Sequence, residues 1–409
     1  MKRKLLSGAL ALVMLAGCTA PVPDTQKLPD DGGEETRVAY VPLDDRPVNT
    51  DRVEYLAGSL GYELVMPDAE AYRTRLDEQP LGESGLKYGD RAALYEWVLE
   101  QEESGCDRYI LSLDQLLSGG LVNSRCFTGA DEDGMLAVCK MYAELDCSGV
   151  LPELRVRYFG GSENSAMSAY DHQTAAEVVA AHLDYLGLDS TDSDTADRLE
   201  LIVLTMPADE SKKSRYISDA IAALNENRKN GVATVLMDAS RNKYGADFQA
   251  RLVKSTELGF LMGYAGYYDL ANASGIALAN GVARWLCLAQ GGPETQAQLD
   301  DFRRTLADSL IKDICYKNDV KIELDAYIRG ELGGDPDNFC RSGTDPDVVL
   351  TKARQLLDES AAPVLDNLAH SSYLTDLDGG TAGFGSLSVK NLSFPWLRIF
   401  ELHIFLEAN

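Results

Sequence analysis

Short apolar runs alternate with amphipathic stretches seven times along this chain, and no other feature narrows its fold so far. The runs lie at Val38 to Leu43, Tyr62 to Met66, Arg108 to Leu113, Leu154 to Phe159, Leu201 to Thr205, Val232 to Met237 and Gly259 to Tyr264. Each carries β-branched or aromatic residues and is short enough to be a strand buried on both faces, as parallel sheets require. Helical patterns separate them, at Thr50 to Leu60, Asp90 to Glu103, Gly134 to Leu145, Ala166 to Leu186, Lys213 to Lys229, Ala246 to Glu257 and Ala271 to Leu288. Strand-then-helix units in series predict an α/β fold with a parallel sheet wrapped by helices. A (β/α) barrel-like arrangement is favoured over an open doubly wound sheet, because the count approaches eight and polar residues follow nearly every strand. After Gly291 the pattern becomes mainly helical, Glu294 to Lys317 and Asp347 to Leu368. A Gly/Asp/Ser-rich stretch around Asp376 to Ser388 follows, then a strand-like end, Phe394 to Leu406, expected to complete the sheet. The expected organisation is a parallel α/β domain over residues 37–290 and a helical region over 291–409 whose last strand packs on it.

The beginning of the chain reads as a sorting address. Met1-Lys2-Arg3-Lys4 is a basic start, Leu5 to Leu15 an apolar run too short for the ~20 residues of a membrane span, and Leu15-Ala16-Gly17-Cys18 a small-residue ending. This layout resembles the lipobox of bacterial lipoproteins, which implies a signal peptide over 1–17, lipidation of Cys18, and export to the outer face of the bacterial cell membrane. Residues 18–36 are rich in Pro, Asp, Gly and Glu, as a flexible tether should be. The formal charge of −27 repels phosphate backbones and anionic headgroups, which argues against nucleic-acid binding and leaves the lipid anchor to hold the membrane unaided. Besides Cys18, the cysteines are Cys106, Cys126, Cys139, Cys147, Cys287, Cys315 and Cys340, with no C-x-x-C pair. Most read as small buried residues; a disulfide or two is left open.

Candidate chemistry sits where the strands end. The segment from Val41 to Thr50 joins an apolar strand to Asp44, Asp45, Arg46 and Asn49, with Pro47 stiffening the turn. Later strand ends supply Asp114 with Ser118-Gly119-Gly120 and Arg125, then Glu163 and Asn164, Asp209 and Glu210, Asp238 with Arg241, and finally Tyr267 and Asn272. Parallel strands would bring these groups to one face. Acids and amides hydrogen-bond the hydroxyls of a sugar and aromatic faces pack on its apolar side, while a pair of carboxylates can perform acid–base chemistry on a glycosidic bond. Each has a structural counterpart: an Asp44–Arg46 ion pair that ties a turn, an Asp114 or Glu163 helix cap, a solvated helix start at Asp209 and Glu210, core packing by the tyrosines. Ser118-Gly119-Gly120 is either an anion cradle or a plain turn. His172 is the histidine singled out for test, against a surface helix position. There is no G-x-S-x-G elbow, P-loop or H-E-x-x-H motif. No cofactor is expected, although Asp44, Asp45 and Asp114 would suit a hard divalent cation.

Val41-Pro42-Leu43-Asp44-Asp45-Arg46-Pro47-Val48-Asn49, with Ser112-Leu113-Asp114, Gly119-Gly120-Leu121-Val122 and Ser124-Arg125, resembles the bacterial family labelled domain of unknown function 4127. Pro395-Trp396-Leu397-Arg398-Ile399-Phe400-Glu401 is similar to that family's closing motif. The family brings no established activity to transfer. Where relatives carry a Trp-Asn-Thr-rich segment, Ala265, Gly266, Asn272 and Gly275 fit and Tyr267 and Tyr268 depart. The leading expectation is a cell-surface hydrolase of carbohydrate or cell-wall glycan. In it Asp44, Asp45 and Asp114 are catalytic and Arg46, Asn49, Arg125, Glu163, Asn164, Asp209, Glu210, Asp238, Arg241, Tyr267 and Asn272 bind substrate. The alternative is a non-catalytic lipoprotein that captures a solute or glycan.

Overall fold

The computed structural model describes residues 36–76, 78–106, 108–124, 154–159, 175–184, 188, 198–205, 210–240, 244–266, 270–374 and 381–409. Each of the seven apolar runs overlaps a strand; the last, Gly259 to Tyr264, begins in the 3-10 turn Leu258–Phe260 and enters its strand only at Gly263. β1 (Thr36–Val41), β2 (Tyr62–Val65) and β3 (Tyr109–Leu111) make a parallel sheet in the order β2-β1-β3. β4 (Leu154–Phe159), β5 (Leu199–Leu204), β6 (Ala233–Asp238) and β7 (Gly263–Ala265) make a second parallel sheet in sequential order. Every residue of β5 and β6 is buried, which is why these segments read as unbroken apolar runs and not as alternating ones. The polar exceptions are Thr234 and Asp238 in β6 and Glu200 in β5, which is held by Arg157 and by Arg198 at 3.3 Å.

Helices follow the strands as the pattern predicts. α1 (Asp51–Ser59) follows β1, and α2 (Ala69–Tyr72) follows β2. α3 (Arg91–Glu103) opens where the Asp90 side chain accepts from the N–H groups of Ala92 and Ala93, both at 3.1 Å. α4 (Leu113–Ser118) is capped by Ser112, and Gly119, at φ 79°, closes it in the left-handed region that glycine enters freely. The helices Lys213–Lys229, Gly245–Ser255 and Leu270–Ala289 lie within a residue or two of their expected bounds, and 175–184 is helical. The expected helix from Gly134 to Leu145 lies outside the described residues.

The C-terminal region differs from expectation in two ways. The helix Gln296–Leu310 does not simply end: it widens into a π-helical segment, Ile311–Val320, before returning to α geometry at Lys321–Tyr327. The long helix Pro346–Ala369 packs against that segment. The terminal segment does not complete the parallel sheet. β10 (Leu387–Ser393) and β11 (His403–Ala408) pair with each other in an antiparallel ribbon, and β8 (Ser372–Leu374) pairs with β9 (Thr381–Gly383) likewise. Burial explains the difference: in β11 Ile404 and Leu406 face the core while Phe405 is exposed, the alternation of a half-solvated antiparallel strand. One apolar cluster runs from Leu154 to Leu406 and joins the second parallel sheet to the C-terminal helices and ribbon. A smaller cluster of Val41, Tyr72, Leu94, Val98 and Leu116 lies beside the first sheet.

Candidate functional site

The turn after β1 is built around Asp44, which is 1% exposed. Its carboxylate accepts from Arg46 Nε at 2.9 Å and Nη2 at 2.9 Å, and from Asn49 Nδ2 at 2.7 Å. Tyr40 in β1 donates its hydroxyl to the Asn49 carbonyl at 2.6 Å, which fixes the far side of the turn. Every strong acceptor direction of Asp44 is therefore occupied from within its own segment, and this acid holds the turn in shape. The next residue behaves differently.

Asp45 turns into a cavity of about 590 Å³, a size that suits a small organic ligand. Its Oδ1 accepts from Trp396 Nε1 at 2.9 Å and from the Thr74 N–H at 3.3 Å, and Arg73 Nε stands 3.6 Å from Oδ2. Burial raises its pKa above the ordinary carboxylate value, and the two N–H donors only partly offset this. Trp396 adopts φ 59° and ψ 17°, a left-handed conformation costly for a side chain of this size. Its ring lies 5.0 Å from the Arg46 guanidinium and 5.4 Å from that of Arg398. Arg46 also approaches Glu401 at 3.9 Å. The strand-end motif and the closing motif, 351 residues apart, thus assemble one site.

Asp51 and His403 also line this cavity. Asp51 opens α1, where the helix N-terminus favours a carboxylate. His403 Nε2 lies 2.7 Å from its Oδ1 and 2.6 Å from Oδ2, and Lys312 Nζ lies 3.2 Å from Oδ2. Burial pushes Asp51 up, but Lys312 and His403 outweigh it and bring the pKa down to about 2. His403 meets Asp51 through Nε2, and Nδ1 is its second ring nitrogen. Tyr72, Phe394 and Phe405 supply apolar wall; Glu54 and Arg75 add charge.

Behind Asp51 a chain of buried charges runs inward. Lys312 meets Asp308 at 2.6 Å, Asp308 meets Arg52 at 3.1 Å, Arg52 meets Asp313 at 2.8 Å, and Asp313 meets Lys317 at 3.5 Å. The π-helical segment makes this possible, because its wider turn lets residues five apart, Asp308 with Asp313 and Lys312 with Lys317, face the same way. Asp313 also accepts from the Gly266 N–H at 3.0 Å, which ties the chain to the end of β7. Burial brings Lys317 down to about 8 despite the opposing pull of Asp313 and Glu401.

The remaining sequence candidates separate. Asp114 is exposed in the first turn of α4 and does not line the cavity; Ser112, not Asp114, supplies the cap, through a bond of 3.3 Å to the Gln115 N–H. Ser118-Gly119-Gly120 is the helix end and its turn. Glu210 is solvated and meets Lys213 at 3.9 Å, the helix-start reading. Asp238 is buried at the end of β6 and accepts from the Ser240 N–H at 2.9 Å, and burial raises its pKa. Asn272 is exposed on the helix after β7, and Tyr264 is core. Cys18, Arg125, Glu163, Asn164, Asp209, Arg241, Tyr267 and His172 lie outside the described residues. Among the described residues no group of three or more His, Cys, Asp or Glu side chains is placed to hold a metal, so Asp44, Asp45 and Asp114 do not come together as the cation site considered above. Cys106, Cys287, Cys315 and Cys340 are free thiols, the first three buried.

The residues that sequence reasoning did not single out are Asp51, Trp396, His403 and Lys312. Asp51 directly follows the first motif, and Trp396 lies inside the closing one with His403 two residues beyond it; the closing motif was visible but had no assigned role. Fold and site together define an α/β protein with parallel sheets, whose first strand end is roofed by a C-terminal ribbon over an acidic, aromatic-walled cavity. The chain belongs to the family described as "Protein of unknown function (DUF4127)", whose model matches residues 38–128 and 126–404. No curated protein and no solved structure matches it.

Proposed function

We propose that this cavity is the active site of a hydrolase acting on a carbohydrate or cell-wall-derived glycan. One observation carries the reading: two carboxylates, Asp45 and Asp51, line the same cavity in environments that drive their pKa values in opposite directions. Groups separated in this way divide into an acid and a base. Asp45, kept protonated more readily by burial, donates a proton to the leaving oxygen. Asp51 stays ionised and orients His403, whose Nδ1 accepts a proton from the attacking water. Phe405, exposed on the cavity wall, offers a face on which a sugar ring packs.

Of the expected catalytic residues Asp44, Asp45 and Asp114, this reading keeps Asp45 and replaces the other two with the Asp51–His403 couple. The order β2-β1-β3, with β1 central, supports a site at the reversal point of a doubly wound sheet over the closed barrel favoured from sequence. The lipobox-like ending at Cys18 supports placement on the outer face of the cell membrane, and no described helix is long and apolar enough to cross one. The two N–H donors already held by Asp45 Oδ1 favour a second reading, a solute- or glycan-capturing lipoprotein without turnover.

Screening the full chain against glycan and muropeptide pools, with mass-spectrometric detection of new products, separates the two. Hydrolysis is expected, with Asp45→Asn and His403→Gln each reducing turnover by roughly 10²–10⁴-fold while ligand binding persists. A clear thermal shift with one sugar and no product from any pool would favour capture.

A further inference from the structure

A second feature, sharing no lining residue with the cavity, lies between the helices Leu270–Ala289 and Gln296–Leu310. Arg284 is 1% exposed, and its Nε and Nη1 have no hydrogen-bond partner among the described residues. Among the described residues no carboxylate is among the groups that act on it. Its guanidinium lies 3.5 Å from the Phe302 ring centroid. The next residue on that helix, Arg303, is 4% exposed. Its Nη1 reaches Asp300 at 3.3 Å and its Nη2 the Gly383 carbonyl at 3.5 Å, while its Nε has no partner among the described residues. Tyr373 packs on Phe302 with ring centroids 5.8 Å apart, and both guanidiniums act on its buried hydroxyl against the rise that burial imposes. The backbone closes on them: a Cβ on Gly385, at φ 83°, would stand 3.0 Å from Arg303 Cζ.

A buried cation without a counter-charge is among the most costly groups a fold can hold. Arg284 does not escape by losing its proton, because burial lowers it only to about 9, still charged at neutral pH. The Phe302 face offsets part of the cost, since a ring attracts a cation but offers its N–H groups no acceptor. The Nε and Nη1 edge of Arg284, with the Nε of Arg303 beside it, is a donor set of the kind that recognises a planar or tetrahedral oxyanion through paired hydrogen bonds. We propose that Arg284 and Arg303 form an internal binding site for one small oxyanion, a carboxylate or phosphate group, held beside β8 and β9. The site is independent of the hydrolase reading and persists if that reading fails.

Thermal unfolding of the full chain in sodium phosphate, sodium acetate and sodium chloride at matched ionic strength tests the proposal and separates its two sources. Phosphate or acetate should raise the midpoint by several degrees in a saturable way over chloride, or the denatured chain should release a stoichiometric anion of that class on ion chromatography. Arg284→Met and Arg303→Met should abolish either effect; should a variant not fold, the wild-type comparison and the released anion decide alone. Equal midpoints in all three salts, with no phosphate or carboxylate released, would overturn the site and leave Arg284 as a buried cation on an aromatic ring.

Discussion

Neighbouring residues of one turn have opposite fates here, and only their partners differ. Asp44 is neutralised by Arg46 and Asn49 within five residues, so its role follows from local chain geometry. Asp45 and Asp51 depend on Trp396, His403 and Lys312, which sequence order places hundreds of residues away. Asp51 also makes a measurable contribution to stability. Its folded pKa of about 2 lies below the ordinary 3.8, so the unfolded chain takes up the proton first as the pH falls. The stabilisation is complete above about pH 4 and is lost as the pH drops through about 2, and the difference amounts to about 2 kcal/mol. Acid titration of the unfolding midpoint should therefore show a shallower slope for Asp51→Asn than for the wild type between pH 5 and 2. Parallel curves would mean that the Lys312 and His403 contacts do not hold in solution.

At the scale of elements, agreement was closest at β4, which has the same bounds as its expected run, and loosest at β7, which shares only Gly263 and Tyr264 with it. In β5 and β6 the apolar runs are continuous because a strand covered on both faces has no polar side to blur the pattern. The helix Leu270–Ala289 packs on that sheet at close range: a Cβ on Gly281 would stand 2.4 Å from Val235 Cγ2 and 3.2 Å from Leu199 Cδ2. Gly281→Ala should destabilise the chain by about 1–3 kcal/mol through overpacking, although alanine is the better helix former. Chemical denaturation measures it, and an unchanged or raised midpoint would show that the helix can move outward freely. The π-helical segment was not legible, since its sequence reads as an ordinary helix from Glu294 to Lys317. Its widened turn is set by the buried charges it must align with Arg52 and Asp51, and those are tertiary partners.

For the molecule as a whole, the membrane association proposed above depends on Cys18 and not on charge, because a chain of formal charge −27 finds no attraction in an anionic lipid surface. Cys18→Ser should prevent incorporation of labelled palmitate and move the protein from the membrane to the soluble fraction; palmitate incorporation unaltered in the variant would refute the anchor. The family likeness was readable from two motifs, and the match over residues 38–404 bears it out. By itself the sequence determined the strand–helix alternation, the parallel pairing it implies and the crowding of acids after β1, because apolar periodicity and turn chemistry act over a few residues. Only the tertiary structure decided which acid faces the cavity, that Trp396 and His403 close it, and that the last strand pairs in its own ribbon. Those outcomes depend on groups 351 or 352 positions apart becoming neighbours, and on the dielectric that their shared burial creates.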